Sequence, residues 1–195
     1  MLRRMQARVD VLTPRLRLRN LSPGDTPLVL HWATDADVVR NFSFFEHGAD
    51  PARIRAYIEE KERSAADLLL AVMERVDSGE QYAGNVGLHE WDPINDNARL
   101  GIILQQAAWG RGVAQEAICG LLGHAFTSLR LHKVYLNVFT TNDKGIHLYG
   151  KLGFVHEGVM RAEYKLRGEY RDMLRMSILR TEWPTPAARG FLEGA

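Results

Sequence analysis

A glycine-rich turn between an apolar run and a helical pattern is the stretch best suited to chemistry. Residues 102–104 are aliphatic and favour a buried strand, and Gly110 and Gly112 flank Arg111 where the backbone must turn tightly. The first N–H groups of the helix predicted to follow have no intrahelical partner. Such a turn can bind a pyrophosphate, with Arg111 adding positive charge, although an ordinary strand-to-helix turn contains the same glycine pair.

An aromatic loop at residues 41–48 is a second candidate for a binding site. It contains Phe44, Phe45 and Glu46 in an irregular segment before a helix predicted to start near Pro51. Aromatic side chains in a loop either plug the core or line a substrate pocket. In the second case Glu46 would form an anionic lip beside the two rings. Both interpretations stay open at this point.

The histidines and the cysteine do not follow a metal-binding pattern. The seven histidines include no His-x-x-x-His pair on a predicted helix, and Cys119 is the single cysteine of the sequence. We therefore predict no metal. A lone cysteine also excludes an internal disulfide, which suits a reducing cytoplasm. We expect a cytoplasmic location.

Length and charge limit the classes of function. The 195 residues suit one domain, and 25 basic against 24 acidic residues give a net charge of +1. This balance removes the electrostatic case for a nucleic-acid or membrane partner. We expect a basic lead-in at residues 1–13, without the apolar core of a signal peptide. A single domain should cover residues 14–183, followed by a frayed tail at residues 184–195.

Hydrophobic periodicity predicts the elements that position these residues. The segment 99–139 has the pattern strand, turn, helix, strand, which normally forms a right-handed crossover between parallel strands. The remaining strands form hairpins, so we predict an α/β (α+β) fold with a mixed, mostly antiparallel sheet of six to seven strands and about four helices. The predicted strands are 15–19, 68–74, 82–91, 99–105, 134–139, 154–163 and 171–179, and the predicted helices start near residues 22, 35, 50, 113 and 142.

Two linked motifs make the chain resemble the GNAT superfamily of N-acetyltransferases. The first is WGRGVA at residues 109–114, between a strand and a helix. The second, one strand later, is N-x-x-G-I-x-L-Y-x-K-L-G-F at residues 142–154. The resemblance covers roughly residues 15–183. The closing segment 157–179 resembles the subgroup that holds ribosomal-protein N-terminal acetyltransferases and spermidine N-acetyltransferases.

The resemblance implies acetyl-CoA as the acetyl donor, with its pyrophosphate on the amides of the glycine turn. It also implies that the strand before the turn splays from its parallel neighbour, so that the pantetheine arm pairs with the free edge. Trp109 stands where the family has Gln or Arg, and this departure leaves the backbone amides available. The implied donor-binding residues are Ile103, Leu104, Gln105, Gly110, Arg111, Gly112, Val113, Ala114, Gln115, Asn142 and Lys144.

The resemblance also implies two catalytic residues. Tyr149 fills the position whose hydroxyl faces the thioester sulfur, and a phenol can protonate or hydrogen-bond a weakly basic thiolate. Glu90, at a strand end, matches a glutamate of spermidine acetyltransferases and is the candidate general base, acting through water. A solvated strand-end carboxylate is the alternative for Glu90. By the period-two rule, neighbouring His89 should face the opposite side of the sheet.

These features predict an N-acetyltransferase that transfers the acetyl group directly in a ternary complex, since Cys119 lies within a helix and offers no covalent route. The favoured acceptor is the primary amine of a peptide or protein N-terminus, an amino acid or a small molecule. Phe44, Phe45 and Glu46 are its predicted contacts. A polyamine or an antibiotic amine is the alternative. The polyamine is less favoured, because basic residues interleave with the acidic ones near the expected mouth. A non-catalytic acyl-CoA sensor and a homodimer also stay open.

Overall fold

One mixed sheet organises the protein. The computed structural model describes residues 8–45 and 48–191. In them eight strands lie in the order β1-β2-β3-β4-β5-β6-β8-β7, and every pair of neighbours is antiparallel except β5 and β6. The strands are β1 (Asp10–Leu12), β2 (Leu16–Asn20), β3 (Leu68–Val76), β4 (Gly79–Asp92), β5 (Asn97–Leu104), β6 (Lys133–Phe139), β7 (Val155–Leu166) and β8 (Glu169–Leu179).

Four helices of two or more turns flank the sheet within the described residues, as predicted. Asp35 and Asp50 cap two of the helices by accepting hydrogen bonds from first-turn N–H groups, which explains where these helices begin. None of the helices in residues 8–45 and 48–191 combines the length and apolarity needed to cross a bilayer. The helices are α1 (Thr26–Ala33), α2 (Ala36–Val39), α3 (Pro51–Arg63), α4 (Val113–Thr127), α5 (Asp143–Lys151) and α6 (Pro186–Arg189).

The sheet separates two apolar cores. On one side α4 packs against the strands, with Ala117, Leu121 and Leu122 fully buried. On the other side Ile54 and Ile58 of α3 pack with Trp32 of α1. Successive residues of β3 alternate between the two cores, as the pleat of a strand requires. We call these two sides of the sheet the α4 face and the α3 face.

Both ends of the described chain contain more structure than the sequence predicted. β1 is a strand that the seven predicted strands did not include, and it lies within the predicted lead-in. Just before it, buried Val9 donates from its N–H to Asn20 Oδ1 at 2.6 Å. The segment predicted to be frayed contains α6, because Ala188 is fully buried in the main core. Both predictions were wrong for these residues, since Val9 and Ala188 are buried in a core that residues far along the chain complete.

Candidate active site

β5 and β6 are paired over only part of their length. Asn97–Arg99 pair in parallel with Lys133–Tyr135, and no further pairs join the two strands. On its other side β5 stays paired with β4 as far as Leu104. The second half of β5 therefore has a free edge beside a gap, which confirms the predicted splay.

The strand register shows which backbone groups face this gap. Gln105 N donates to Ala83 O at 2.9 Å, so Gln105 and, two residues earlier, Ile103 direct their backbone groups toward β4. The N–H and C=O groups of Ile102 and Leu104 point the other way, into the gap. This corrects the predicted donor contacts: the backbone groups of Ile102 are available to an extended ligand, and those of Ile103 and Gln105 are not.

Trp109 pairs with the last gap-facing carbonyl of β5. Its indole Nε1 donates to Leu104 O at 3.0 Å, while the side chain stays 43% exposed. An unpaired carbonyl at this position would cost free energy if the site closed over it. Trp109, which departs from the family pattern, therefore provides a hydrogen-bond donor for the Leu104 carbonyl at the edge of the gap.

The glycine turn at residues 110–112 leads into the start of α4, where backbone N–H groups have no side-chain cap among the described residues. Gly110 and Gly112 have φ values of 71° and 79°, which residues with a Cβ rarely adopt. Gly112 is the N-cap of α4 and has no side chain, so within the described residues no side chain caps the N–H groups at residues 113–115. These amides lie at the positive end of the helix dipole. The turn is therefore suited to a phosphate group.

Charged side chains hold this turn in place. Arg111 Nη2 donates to Glu74 Oε1 at 2.6 Å, so its charge is paired with a carboxylate and is not directed at a ligand as predicted. Arg15 donates from Nε to buried Glu116 Oε2 at 2.7 Å and from Nη1 to Arg111 O at 3.0 Å. Thr13 Oγ1 donates to Glu116 Oε1 at 2.7 Å. These contacts fix the start of α4 against the residues that lead into β2.

Asn142 and Lys144 lie at the N-terminus of α5. Asn142 Oδ1 accepts a hydrogen bond from Gly145 N at 3.0 Å, which makes Asn142 the N-cap of this helix. Its side-chain oxygen serves the cap, so its NH₂ group is the part left to contact a ligand. Lys144 is exposed in the first turn. Contacts of either residue with a donor stay predictions.

Tyr149 packs against the core on the α4 face. Its ring centroid lies 5.9 Å from that of Phe154, and Tyr149, Ile102 and Ala114 pack against the same core. Burial raises the pKa of Tyr149 to about 12. The phenol therefore keeps its proton at neutral pH and can donate it. The structure thus brings the predicted acid to the same face as the free edge of β5 and the start of α4.

A cavity of about 340 Å³ lies on the α3 face beside β5. Phe44 and Phe45 line it, with ring centroids 4.9 Å apart in an edge-to-face arrangement. Ile103 and Tyr57 form other parts of the wall. Ile103 therefore contributes its side chain to this cavity, although its backbone is paired with β4. Glu46, the third predicted acceptor contact, lies outside the described residues.

A network of charged side chains forms one end of the cavity. His89 and Lys61 line the wall, and both contact the carboxylate of Asp67, with His89 Nδ1 at 2.9 Å and Lys61 Nζ at 3.2 Å from Oδ1. Ser64 Oγ donates to Oδ2 of the same carboxylate at 2.6 Å. Burial alone would raise the pKa of Asp67, but these hydrogen bonds and the charge of Lys61 hold it well below its usual range.

Glu90 lies at a β-bulge of β4 and has a φ of 57°. Its carboxylate accepts from Arg99 Nη2 at 2.8 Å and from the Tyr135 hydroxyl at 3.2 Å. The hydrogen bond from Arg99 lowers the pKa of Glu90. Arg99 is also the cross-strand partner of His89, so Glu90 reaches side chains on the His89 side of the sheet. The prediction of opposite sides was wrong, because the bulge interrupts the period of two.

Sequence reasoning did not single out Asp67 and gave His89 no role. Asp67 comes just before β3, and the register that pairs Leu68 with Leu88 places it opposite His89. The pairing register of the β3–β4 hairpin is the sequence feature that could have indicated this contact, but only if its bulge had been known. A bulge between Val72 and Met73 shifts this register by one residue, so counting back from the turn places Asp67 opposite Leu88 instead.

Comparison with known proteins gives relatives of one kind. A family model described as an acetyltransferase (GNAT) domain matches residues 15–155. The spermidine N(1)-acetyltransferase of Vibrio cholerae serotype O1 is 38% identical over 107 residues, which are 55% of this chain and 62% of the relative. The chain thus spans less than two thirds of the length of that protein.

Two further likenesses extend over most of the chain. The uncharacterized N-acetyltransferase p20 of Bacillus licheniformis is 28% identical over 88% of this chain and 96% of its own length. The crystal structure of spermidine N-acetyltransferase from Vibrio cholerae in complex with CoA and spermine gives a TM-score of 0.77 at 30% identity, covering 86% of this chain and 96% of that one. With the domain model spanning well over half of the sequence, the chain belongs to the GNAT acetyltransferase family.

Proposed function

We propose that this protein is an acetyl-CoA-dependent N-acetyltransferase that acts on a primary amine. The observation that carries the proposal is the gap between β5 and β6. β5 contributes Ile102 to the α4 face, where the uncapped start of α4 lies, and Ile103 to the cavity on the α3 face. Donor and acceptor can therefore approach from opposite faces and meet at one strand, which supplies the proximity that a two-substrate reaction needs.

Backbone groups bind the donor in this proposal. When bound, acetyl-CoA supplies an activated acetyl thioester. The amides of residues 113–115 hold its pyrophosphate, and the backbone groups of Ile102 and the N–H of Leu104 pair with its pantetheine arm. Asn142 and Lys144 contact it from the start of α5. Arg15 and Glu116 act indirectly, by fixing the turn that carries the amides.

Direct transfer without an acyl-enzyme is supported by the state of Cys119. Its side chain is fully buried in α4, and burial raises the pKa of the thiol to about 12. A thiol in that state is a poor nucleophile. Tyr149 protonates the departing thiolate. Glu90, the base suggested by the sequence, would have to release Arg99 before it could take a proton efficiently.

The charges of the cavity favour a peptide N-terminus, an amino acid or a small amine as acceptor. Lys61 and Arg99 both line the cavity, so its wall is not uniformly acidic. Lys61 contacts the carboxylates of Asp67 and Glu60, and Arg99 contacts that of Glu90. A polyamine carries several positive charges and would favour an excess of carboxylates. Spermidine is the second candidate, because the names of the Vibrio cholerae relatives support it.

A thiol-release assay tests the proposal. The full chain is incubated with acetyl-CoA and, separately, with spermidine, free amino acids and peptides with unblocked N-termini. We expect CoA release with a primary amine, and none with the N-acetylated form of the same compound. CoA binding without release across the panel would contradict catalysis and favour the sensor alternative. Turnover of spermidine alone would replace the favoured acceptor by a polyamine.

A further inference from the structure

The geometry of the acceptor cavity points to His89, held by Asp67, as the general base of the reaction. This inference rests on the proposed acetylation of an amine. It assigns proton removal from the acceptor ammonium to an imidazole inside the cavity, and not to the carboxylate of Glu90. The supporting observations are the contacts of the ring, the glycines beneath it and the charges around it.

The contacts of His89 fix the tautomer of its ring. His89 Nδ1 lies 2.9 Å from Asp67 Oδ1, and an ionised carboxylate can only accept a hydrogen bond. In the neutral ring Nδ1 therefore carries the hydrogen, and Nε2 is left with a free lone pair. His89 lines the cavity and is only 9% exposed, and Nε2 has no hydrogen-bond partner among the described residues. An orienting carboxylate and a free nitrogen are the two features that a histidine base requires.

Gly87 and Gly101 lie against the imidazole ring of His89 and leave space for it. A Cβ on Gly101 would lie 3.3 Å from His89 Nε2, and a Cβ on Gly87 would lie 3.1 Å from it. Both distances are shorter than ordinary van der Waals contact, so the ring has room because these positions lack side chains. Gly101 directly precedes Ile102, whose backbone faces the gap. Nε2 therefore lies next to the strand where donor and acceptor meet.

Charged groups from three elements lie around the ring. Asp67 lies directly against it, and its carboxylate stabilises the imidazolium that forms. Lys61 of α3 faces the same carboxylate, and Tyr57 of α3 lies beside Lys61. Arg99 of β5 is paired with Glu90 of β4, so this cation is compensated as well.

Glu90 is less suited to the role of base. Its side chain is 58% exposed, and both of its carboxylate oxygens accept hydrogen bonds, from Arg99 and Tyr135. These donors stabilise the ionised carboxylate and so reduce its affinity for a proton. Glu90 is not among the residues that line the cavity, whereas His89 and Arg99 are. Glu90 therefore positions Arg99 and does not touch the acceptor.

Every proton transferred in the proposed acetylation has a donor and an acceptor. His89 Nε2 takes one proton from the acceptor ammonium, which frees the lone pair of nitrogen. Nitrogen forms a bond to the acetyl carbon as the carbon–sulfur bond breaks, and sulfur takes the proton of Tyr149. The proton that nitrogen loses on becoming an amide returns to Tyr149. The imidazolium releases its proton to water, so one proton leaves per turnover.

The pH dependence of kcat/KM tests the inference. With an amine that the unmodified protein acetylates, we compare variants across roughly pH 5.5 to 9, a range that covers the pH at which histidine commonly acts as a base in proteins. For His89→Gln we expect kcat to fall about 100-fold and the acid limb of the profile to disappear. Asp67→Asn should lower kcat about tenfold and move that limb, because the ring loses its orienting carboxylate. His132→Gln, at an exposed histidine, is the matched control and should leave the profile unchanged.

Other outcomes would overturn the inference or its foundation separately. If His89→Gln keeps the acid limb and Glu90→Gln removes it, the base is Glu90. If neither variant removes the limb, it belongs to the acceptor amine and His89 is not the base. If the unmodified protein releases no CoA with any amine tested, the proposed function is refuted instead. Should His89→Gln fail to fold, Gly101→Ala crowds Nε2 with one methyl group, and we expect it to lower kcat/KM and to leave CoA affinity unchanged.

Discussion

The two faces of β5 offer their ligands different kinds of group. On the donor side, at the gap and the start of α4, the groups are backbone amides and carbonyls, at Ile102, Leu104 and residues 113–115. On the α3 face they are side chains, namely the Phe44 and Phe45 rings and the imidazole of His89. Backbone groups are fixed by strand pairing and by glycine conformation, whereas side chains change with single substitutions. We therefore expect donor binding to tolerate most substitutions and acceptor choice to change with few.

The largest effect is expected at Tyr149, which acts through its side chain on the face otherwise built from backbone. Tyr149→Phe removes the acidic hydroxyl, so kcat should fall roughly 100-fold. Packing against Phe154 remains, so the dissociation constant for CoA should stay within about threefold. Because burial raises the pKa of Tyr149 to about 12, the phenol is protonated throughout the assay range and the loss should not vary with pH. Thiol release and calorimetry measure the two constants.

Tyr170→Phe is the control for that experiment, because Tyr170 is an exposed tyrosine of β8. It should change neither constant. An unchanged kcat for Tyr149→Phe would show that another group protonates the thiolate. A large loss of CoA affinity would show that the two faces differ less than we propose, since a side chain would then determine donor binding.

An intermediate effect is expected at Gly112, where the backbone itself is altered. Alanine at its φ of 79° costs about 1–2 kcal/mol, and the added Cβ would lie 3.3 Å from Arg15 Nη2. Relaxation of the turn would move the amides at residues 113–115. We expect the CoA dissociation constant measured by calorimetry to rise roughly tenfold, while the KM of the acceptor is unchanged.

Gly168→Ala provides a matched control for backbone strain. Gly168 has a φ of 83° at the turn between β7 and β8. Apart from its own chain neighbours, no atom of the described residues lies within 4 Å of the position that a Cβ would take. The substitution should destabilise the fold to a similar extent and leave CoA affinity unaltered. Equal losses of affinity in the two variants would mean that general destabilisation, and not the position of the amides, weakens binding.

The smallest effect is expected at Trp109. Trp109→Phe keeps an aromatic ring but removes the N–H that donates to Leu104 O. A neutral hydrogen bond contributes about 1 kcal/mol, and water can partly replace this one because the side chain is 43% exposed. We expect the CoA dissociation constant to rise about threefold in the same titration. No change would mean that the Leu104 carbonyl needs no partner when the donor is bound.

Signals that are local in sequence predicted most of the fold. The glycine pair, the capping aspartates and the turn residues Asp77, Ser78 and Gly79 that connect β3 to β4 each act within a few residues. The β-α-β unit and the hairpins could therefore be assigned without tertiary information. β1 and α6 could not, because the burial of Val9 and Ala188 depends on segments far along the chain.

The acceptor side of the site was harder to predict because it depends on register. Two bulges in β4, one at Ala83 and one after His89, each shift the register by about one residue. A shift of one residue moves each side chain of the strand to the opposite face of the sheet, and no residue type in these segments indicates it. The pairing of His89 with Asp67 and of Glu90 with Arg99 is therefore visible only once the strands are aligned.

The bridge from Arg15 to Glu116 has a consequence for folding. It joins residues that are 101 positions apart, so closing it requires most of the intervening chain to be ordered. Until then Arg15 cannot hold the Arg111 carbonyl, and the amides at the start of α4 are not fixed. The proposed donor site thus depends on a contact between segments that are far apart in sequence. We therefore expect CoA affinity to report whether the first strands have joined the central helix.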